Sequence, residues 1–294
     1  MPDPPAGEPD GLGHLCVCAV IDDVVSQDRL ALETSARRMC QTARLSEDKL
    51  ICRVLGKYIM YVDPRDQGIT PHLALNGFWE AWITVALARL IQPGWRCVDV
   101  GANVGYFTML MADGAGSEGH VLALEPNPAM AQWLALNVYV NGFGSWVDIE
   151  RVAVADSDGS EVDLNVDLTN PGIASICAGP LRRGEAVSAL TATIDRLTEP
   201  WPVVNLIKID AEGAEPAIWR GMRRTLMRNP DIVVLMEFTP SLYADPFGFL
   251  DEIEAGGFPA RQVAADGTIV ALTPETIAEA RAAGGWTMLF LARD

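Results

Sequence analysis

Paired cysteines are the first thing this sequence lacks. Its six cysteines, at 16, 18, 40, 52, 97 and 177, form no C-x-x-C pair, and Cys97 lies inside an apolar run. That spacing argues against a disulfide framework and fits reduced, mostly buried thiols. Cys16 and Cys18 share one face of a short strand, but no second ligand pair stands near them, so a zinc site is not expected. Basic residues are also scarce: 22 Lys and Arg against 39 Asp and Glu leave a net charge of −17. Such a surface repels phosphate backbones and anionic lipid, which disfavours nucleic-acid and membrane partners. The one basic cluster, Arg220, Arg223, Arg224 and Arg228, falls at helical spacing and reads as a solvated helix face. No uncharged apolar run reaches the roughly 18 residues of a membrane helix. The first thirteen residues, rich in Pro, Gly and acid, read as a disordered tail rather than a signal peptide. A cytoplasmic protein is the expectation.

What is present is organised around RCVDVGANVGYFT, residues 96–108. An apolar run with one acid, Asp99, ends at Gly101; Gly105 follows, and helical spacing begins at Phe107. This is a strand, a glycine turn and a helix, a place where backbone approaches a small polar ligand closely. HVLALEPN, residues 120–127, reads as a second strand with Glu125 at its carboxyl end, where an acid can take both hydroxyls of a ribose. LIKIDAEGAEP (206–216) and DIVVLMEF (231–238) are two further buried strands ending in Asp210, Glu212 and Glu215, and in Glu237. Ligands bind outside the carboxyl ends of parallel strands, so these acids are expected to line one crevice.

Between these motifs the chain reads as follows. His14 to Ile21 suits a strand, and Ser26 caps a helix running to about Ala43. Residues 49–62 suit a hairpin around Gly56, with a loop at Pro64, Asp66 and Gly68. Residues 76–91 form an amphipathic helix with Glu80 near its start, stopped by Pro93-Gly94. Met130 to Val140 is helical, Val147 to Val154 a third strand, Glu161 to Leu168 a strand with one wet face. Thr169 to Gly184 is a loop long enough to cover a substrate. Thr268 to Leu272 and Thr287 to Asp294 close the fold as strands. The expected division is a tail (1–13), an accessory segment (14–75) and a catalytic domain (76–294).

A dinucleotide dehydrogenase needs G-x-G-x-x-G, but Asn103 stands at the second glycine and Asp99 two residues before the first. A carboxylate there repels a pyrophosphate and attracts an ammonium. A ligand with a ribose and adenine at one end and a cationic amino acid at the other fits: S-adenosylmethionine.

VDVGANVGYFT, ALEPNP, NVYVNG, AVADSDG, NPGIAS and IKIDAEGAE, in that order, resemble the FkbM-type S-adenosylmethionine-dependent methyltransferases over roughly Asp63 to Phe238. The K-I-D-x-E-G-x-E pattern is the most specific part. The resemblance implies an α/β fold: a seven-stranded class I methyltransferase (Rossmann-like) sheet, parallel but for one strand, with helices on both faces. A small N-terminal α+β extension is added here. It implies O-methylation of a hydroxyl on a sugar, glycoside or natural product, giving S-adenosylhomocysteine. Carried over, Gly101, Asn103, Gly105 and Tyr106 form the cofactor turn, with Asp99 near the methionine end. Glu125 holds the ribose beside Pro126 and Asn127, Asp156 approaches the adenine amino group, and Glu80 and Asp210 join the cofactor site. The candidate bases are Asp210, Glu212, Glu237 and His72, with Asp210 favoured. Trp79, Trp82 and Trp201 are candidates for a sugar-stacking wall. No metal is expected, Mg²⁺ among Asp210, Glu212 and Glu237 being the weaker alternative. An NAD-linked oxidoreductase and a non-catalytic cofactor-binding scaffold are the competing functions. The N-terminal segment is where a homodimer would form.

Overall fold

The computed structural model describes residues 24, 28–167, 174–176 and 184–293. The tail, the strand at 14–21 with Cys16 and Cys18, the Ser26 cap, Cys177 and most of the 169–184 loop lie outside the described residues. The helix Arg29–Met39 is capped by Asp28, whose Oδ1 accepts the Ala31 N–H at 2.8 Å. It stops before Ala43, because Cys40 is already extended and the chain enters β1. Strands β1 (Thr42–Ser46), β2 (Lys49–Val54) and β3 (Tyr58–Val62) make an antiparallel sheet, with the expected β2–β3 hairpin turning at Leu55-Gly56. The expected loop after Pro64 is partly a helix, Ile69–Leu75. Asp66 organises its start by accepting the Gly68 and Thr70 N–H groups at 3.0 and 2.7 Å. The following helix is Ala81–Leu90.

The central sheet contains β4 (Arg96–Val100), β5 (His120–Leu124) and β6 (Val147–Glu150). A small second sheet intervenes, of β7 (Ala153–Val154), β8 (Glu161–Asp167), β9 (Ala174–Ile176) and β10 (Gly184–Ala192). The central sheet resumes with β11 (Leu206–Ile209), β12 (Val233–Phe238), β13 (Arg261–Val263), β14 (Ile269–Ala271) and β15 (Thr287–Leu291). Its order is β14-β13-β15-β12-β11-β4-β5-β6. Five neighbouring strands, β12 to β6, are parallel; β15 is antiparallel to β12 and to β13, and β14 antiparallel to β13. Two points correct the sequence reading. The sheet has eight strands rather than seven, because β13 and β14 form an edge hairpin whose first strand gave no apolar run. Residues 147–154 are not one strand: the chain breaks at Arg151-Val152, and β7 joins β10 in the smaller sheet.

Side chains alternate across this sheet, as the pleat requires. Cys97, Val121, Ala123, Leu206 and Leu235 enter one apolar layer, with the helices Ala81–Leu90 and Tyr106–Ala115 and the sheet β1–β3. Val98, Val100, Leu122, Leu124, Ile207, Ile209, Val234 and Met236 enter the other, with Ile218, Trp219, Phe249 and Ile253. By the same parity Asp99, Lys208 and Glu237 point toward the first layer. Each sits two residues beyond an apolar neighbour on that face, at the carboxyl end of its strand. No helix among the described residues is long and apolar enough to cross a membrane.

Candidate functional site

At the carboxyl ends of β4, β5, β11 and β12 lies a cavity of about 480 Å³. The chain comes very close to itself at its floor. Gly101 has φ +72°, and a Cβ there would sit 1.8 Å from the Asp210 carbonyl oxygen, so only glycine fits. Gly105, at φ +94°, opens the helix Tyr106–Ala115, and Asn103 between them is also left-handed at φ +52°. The Asn103 N–H donates to Glu125 Oε2 and the Asn127 N–H to Glu125 Oε1, each at 2.8 Å. Glu125 is thus fixed by two backbone donors at the mouth of the turn, with its remaining lone pairs open to a ligand. Burial pushes its carboxyl up to about 7, although those two backbone bonds act against the rise.

Asp99 is fully buried. Thr108 Oγ1 donates to its Oδ2 at 2.6 Å, while Oδ1 has no hydrogen-bond partner and lies 3.9 Å from Lys208 Nζ. Lys208, the Cα partner of Asp99 across the β4–β11 ladder, also reaches Asp210 Oδ2 at 3.3 Å and lies over the Phe107 ring at 4.8 Å. Burial works against the ammonium, but Asp210, Asp99 and Glu80 outweigh it and hold the amine above its ordinary value. Lys208 was not among the sequence candidates. The available signal was a lysine in the middle of an otherwise apolar buried strand, LIKI, which is tolerated only where acids wait for it.

Glu80 stands immediately before the helix Ala81–Leu90 in a left-handed conformation, φ 38°. Its Oε2 is buried and has no hydrogen-bond partner. Burial first, and Asp210 second, push this carboxyl up to about 8, with Lys208 opposing. Glu212 is a second left-handed acid, φ 50°, pushed up to about 7 by burial and by Asp210 and Glu215. Glu237 Oε1 accepts from Thr239 Oγ1 at 2.7 Å, and burial together with neighbouring Asp210 raises its carboxyl. Glu215 has a different task. It accepts from the Ala211 and Gly213 N–H groups at 2.9 and 3.0 Å and from Tyr243 Oη at 2.9 Å, so it shapes the loop that carries Asp210 and Glu212.

The cavity therefore brings together Glu80, Gly101, Asn103, Tyr106, Glu125, Pro126, Asp210, Glu212 and Glu237 from the sequence candidates. Asp99 and Gly105 lie just beneath it. Tyr106 is buried with its hydroxyl on Thr84 Oγ1 at 2.9 Å. Asn127 caps the helix Pro128–Val140 through the Ala129 N–H. Two candidates stand apart. Asp156 is exposed and does not line the cavity, because the chain has left the central sheet before reaching it. His72 is exposed on the helix Ile69–Leu75, edge-on to Trp79 at 4.8 Å. Of the aromatic candidates Trp79 lines the cavity. Trp82 stacks behind Trp286, which lines it too, and Trp201 packs on His120 at the strand's far end.

Among the described residues no group of three or more His, Cys, Asp or Glu side chains is placed to hold a metal ion. Cys40, Cys52 and Cys97 are free thiols. The arginine cluster is spread over two short helices: Arg220 and Arg223 pair with Glu252, Arg224 with Asp195, and Arg228 bonds Thr198.

A family model described as the methyltransferase FkbM domain matches residues 99–259. No curated protein matches the chain. Among solved structures it is similar to precorrin-6y C5,15-methyltransferase from Geobacter metallireducens (12% identity, 71% of this chain and 86% of that one, TM-score 0.41). It is similar also to an O-methyltransferase from Bacillus cereus in complex with SAH (14%, 73% and 80%, 0.41). A third is a SAM-dependent O-methyltransferase from Thermotoga maritima (13%, 74% and 66%, 0.41).

Proposed function

The chain belongs to the FkbM methyltransferase family, and from that premise we propose that it is an S-adenosylmethionine-dependent O-methyltransferase acting on a hydroxyl of a small molecule. One observation carries this reading: the glycine turn faces carboxyl groups, among them a buried Glu80 oxygen without a donor, where a pyrophosphate site would present cations or free N–H groups. That donor-poor, acid-lined cavity suits a ligand with a ribose diol and a cationic amino-acid end. Gly101, Asn103 and Tyr106 would hold it along the turn, Glu125 at the diol, and Glu80 and Asp99 toward the ammonium. When bound, S-adenosylmethionine supplies a methyl group on a sulfonium, already reactive toward a hydroxyl oxygen.

The protein's part is then to orient that hydroxyl, exclude water and take its proton. Asp210 is the residue for the proton. It directly follows β11 on the cavity wall, Lys208 steadies one of its oxygens at 3.3 Å, and Glu237 of β12 stands close enough for the two acids to influence each other. Asp99, beneath, is tied down by Thr108 and serves the electrostatics of the floor. A cytoplasmic location, a homodimer through the N-terminal segment, and the absence of nucleic-acid or membrane partners belong to the same proposal. The test is transfer of labelled methyl from S-adenosylmethionine to hydroxyl-bearing small-molecule extracts. Asp210→Asn should lower turnover by about 10²–10⁴ with cofactor affinity kept; label transfer that is indifferent to Asp210 would remove it as the base.

A further inference from the structure

The cavity extends across the sheet, well past the place proposed for the cofactor. Glu125 ends β5, whereas Glu237 ends β12, three strands away in the order β12-β11-β4-β5, or roughly 14 Å at the usual strand spacing. At that far end Trp286 immediately precedes β15, whose Thr287 and Met288 pair with Phe238 and Glu237. Trp79, Trp286, Asp210, Glu212 and Glu237 all line the same cavity. Among the described residues the only cation on the lining is Lys208, and it is committed to Asp210 and Asp99. A carboxylate, phosphate or sulfate entering here would meet acids and find no uncommitted counter-ion among the described residues.

The acids also remain undersatisfied. Glu212 makes no hydrogen bond among the described residues. Their spacing does not suit a single metal ion, since no three acids are placed to share one among the described residues. Separate carboxyl groups beside two indole faces instead suit an extended organic cation: the ammonium bonds the carboxylates and the adjoining carbon skeleton lies on the rings.

We propose that the methyl acceptor is a hydroxyl compound carrying a protonated amine, with the ammonium held by Glu212 and Glu237 and the skeleton against Trp79 and Trp286. This rests on the methyl-transfer reading of the site. It carries a pH signature. Glu212 faces Asp210 and Glu215, and Glu237 faces Asp210, Glu212 and Thr239, with Lys208 as the opposing charge. Both carboxyls are raised, Glu212 to about 7. They become better partners for a cation as they ionise, so preference for the amine should grow as pH rises from about 7, for Glu212, through about 9, for Glu237.

The test uses three probes with the same ring and hydroxyl: trans-4-aminocyclohexanol, 1,4-cyclohexanediol and 4-hydroxycyclohexanecarboxylate. Binding to the full chain saturated with S-adenosylhomocysteine is measured by ligand-observed NMR. The amine should bind roughly tenfold more tightly than the diol, what one desolvated cation contact supplies, and the carboxylate should not bind. Glu212→Gln, a half-buried position that the fold does not lean on, should shrink the amine-to-diol ratio several-fold. Trp286→Ala should weaken amine and diol together. Equal binding of all three, tighter binding of the carboxylate, or no binding of the amine to the loaded protein overturns the proposal. Failure of S-adenosylhomocysteine itself to bind counts instead against the methyltransferase reading.

Discussion

Lys208 decides how the acids of this site coexist. Without its ammonium, Asp99 is left as a fully buried carboxyl with one oxygen unpartnered, and Asp210 loses its neighbour across 3.3 Å. Removing one member of a buried charge pair typically costs about 3–5 kcal/mol, so Lys208→Met should lower stability by about that much in urea unfolding. A loss within about 0.5 kcal/mol, the size of an ordinary surface substitution, would show that Lys208 is not the counter-charge. Glu80 gives a second, independent signature. Its carboxyl is raised from 4.5 to about 8, chiefly by burial and then by Asp210. Between those values the folded protein binds a proton that the unfolded chain has released, so stability is greatest on the acid side and falls as pH rises from about 4.5 to about 8. Thermal scans across that window should show Tm falling with pH, and Glu80→Gln should flatten part of the slope; an unchanged slope would place Glu80 in a wetter, ordinary environment. At this scale the sequence was informative wherever a residue's job is local. Glu125, Gly101 and Asn103 announce themselves because turn and acid lie within one consecutive strand–turn–helix–strand run. Lys208 did not, because its meaning depends on Asp99 standing opposite it on another strand, a matter of register. Asp156, carried over from the resemblance, lies off the cavity lining because the pairing partner changes at β7 before the chain reaches it.

At the scale of elements, the accessory sheet is tied to the cofactor turn by two asparagines of one helix. Asn137 accepts the Tyr61 N–H at 2.7 Å and donates to the carbonyls of Tyr61 and Val104 at 3.1 and 2.8 Å. Asn141 makes the same paired contact with Ile59, at 3.0 and 2.7 Å. Both side chains act as a piece of strand backbone for β3, satisfying groups that would otherwise be buried unpaired. Because Val104 lies between Asn103 and Gly105, Asn137 also fixes the glycine turn. Asn137→Ala should therefore destabilise the protein by about 1–3 kcal/mol and weaken S-adenosylmethionine binding at the same time. Calorimetry showing full affinity in a destabilised variant would mean that the turn holds its shape without the clamp. The sequence made the parallel strands and the helices after Gly105 and Pro128 legible through apolar runs and punctuation. It left the strand β13 of the edge hairpin, the strand β1 and the helix over His72 obscure. Each is short, and β1 is exposed along its whole length, so neither period nor hydrophobicity marks it.

Over the whole molecule, the net charge of −17 and the acid-lined crevice act in the same direction, drawing cations toward one end of the sheet. The two apolar layers hold that end rigid from both sides, and the accessory strands complete one of them with Cys52, Val54, Met60 and Val62, all wholly buried. Fold class was legible because a strand, a glycine turn, a helix and a second strand follow one another and further apolar strands end in acids; the end proposed for the acceptor was less so, because Trp79, Glu212, Glu237 and Trp286 come from four separate segments. The central claim concerns the cofactor, and calorimetric titration with S-adenosylmethionine tests it most directly. The full chain should bind one equivalent with the affinity lost on Glu125→Ala, whose carboxylate is held open by the Asn103 and Asn127 N–H groups. Absence of binding by the native protein, or binding indifferent to Glu125, would contradict it.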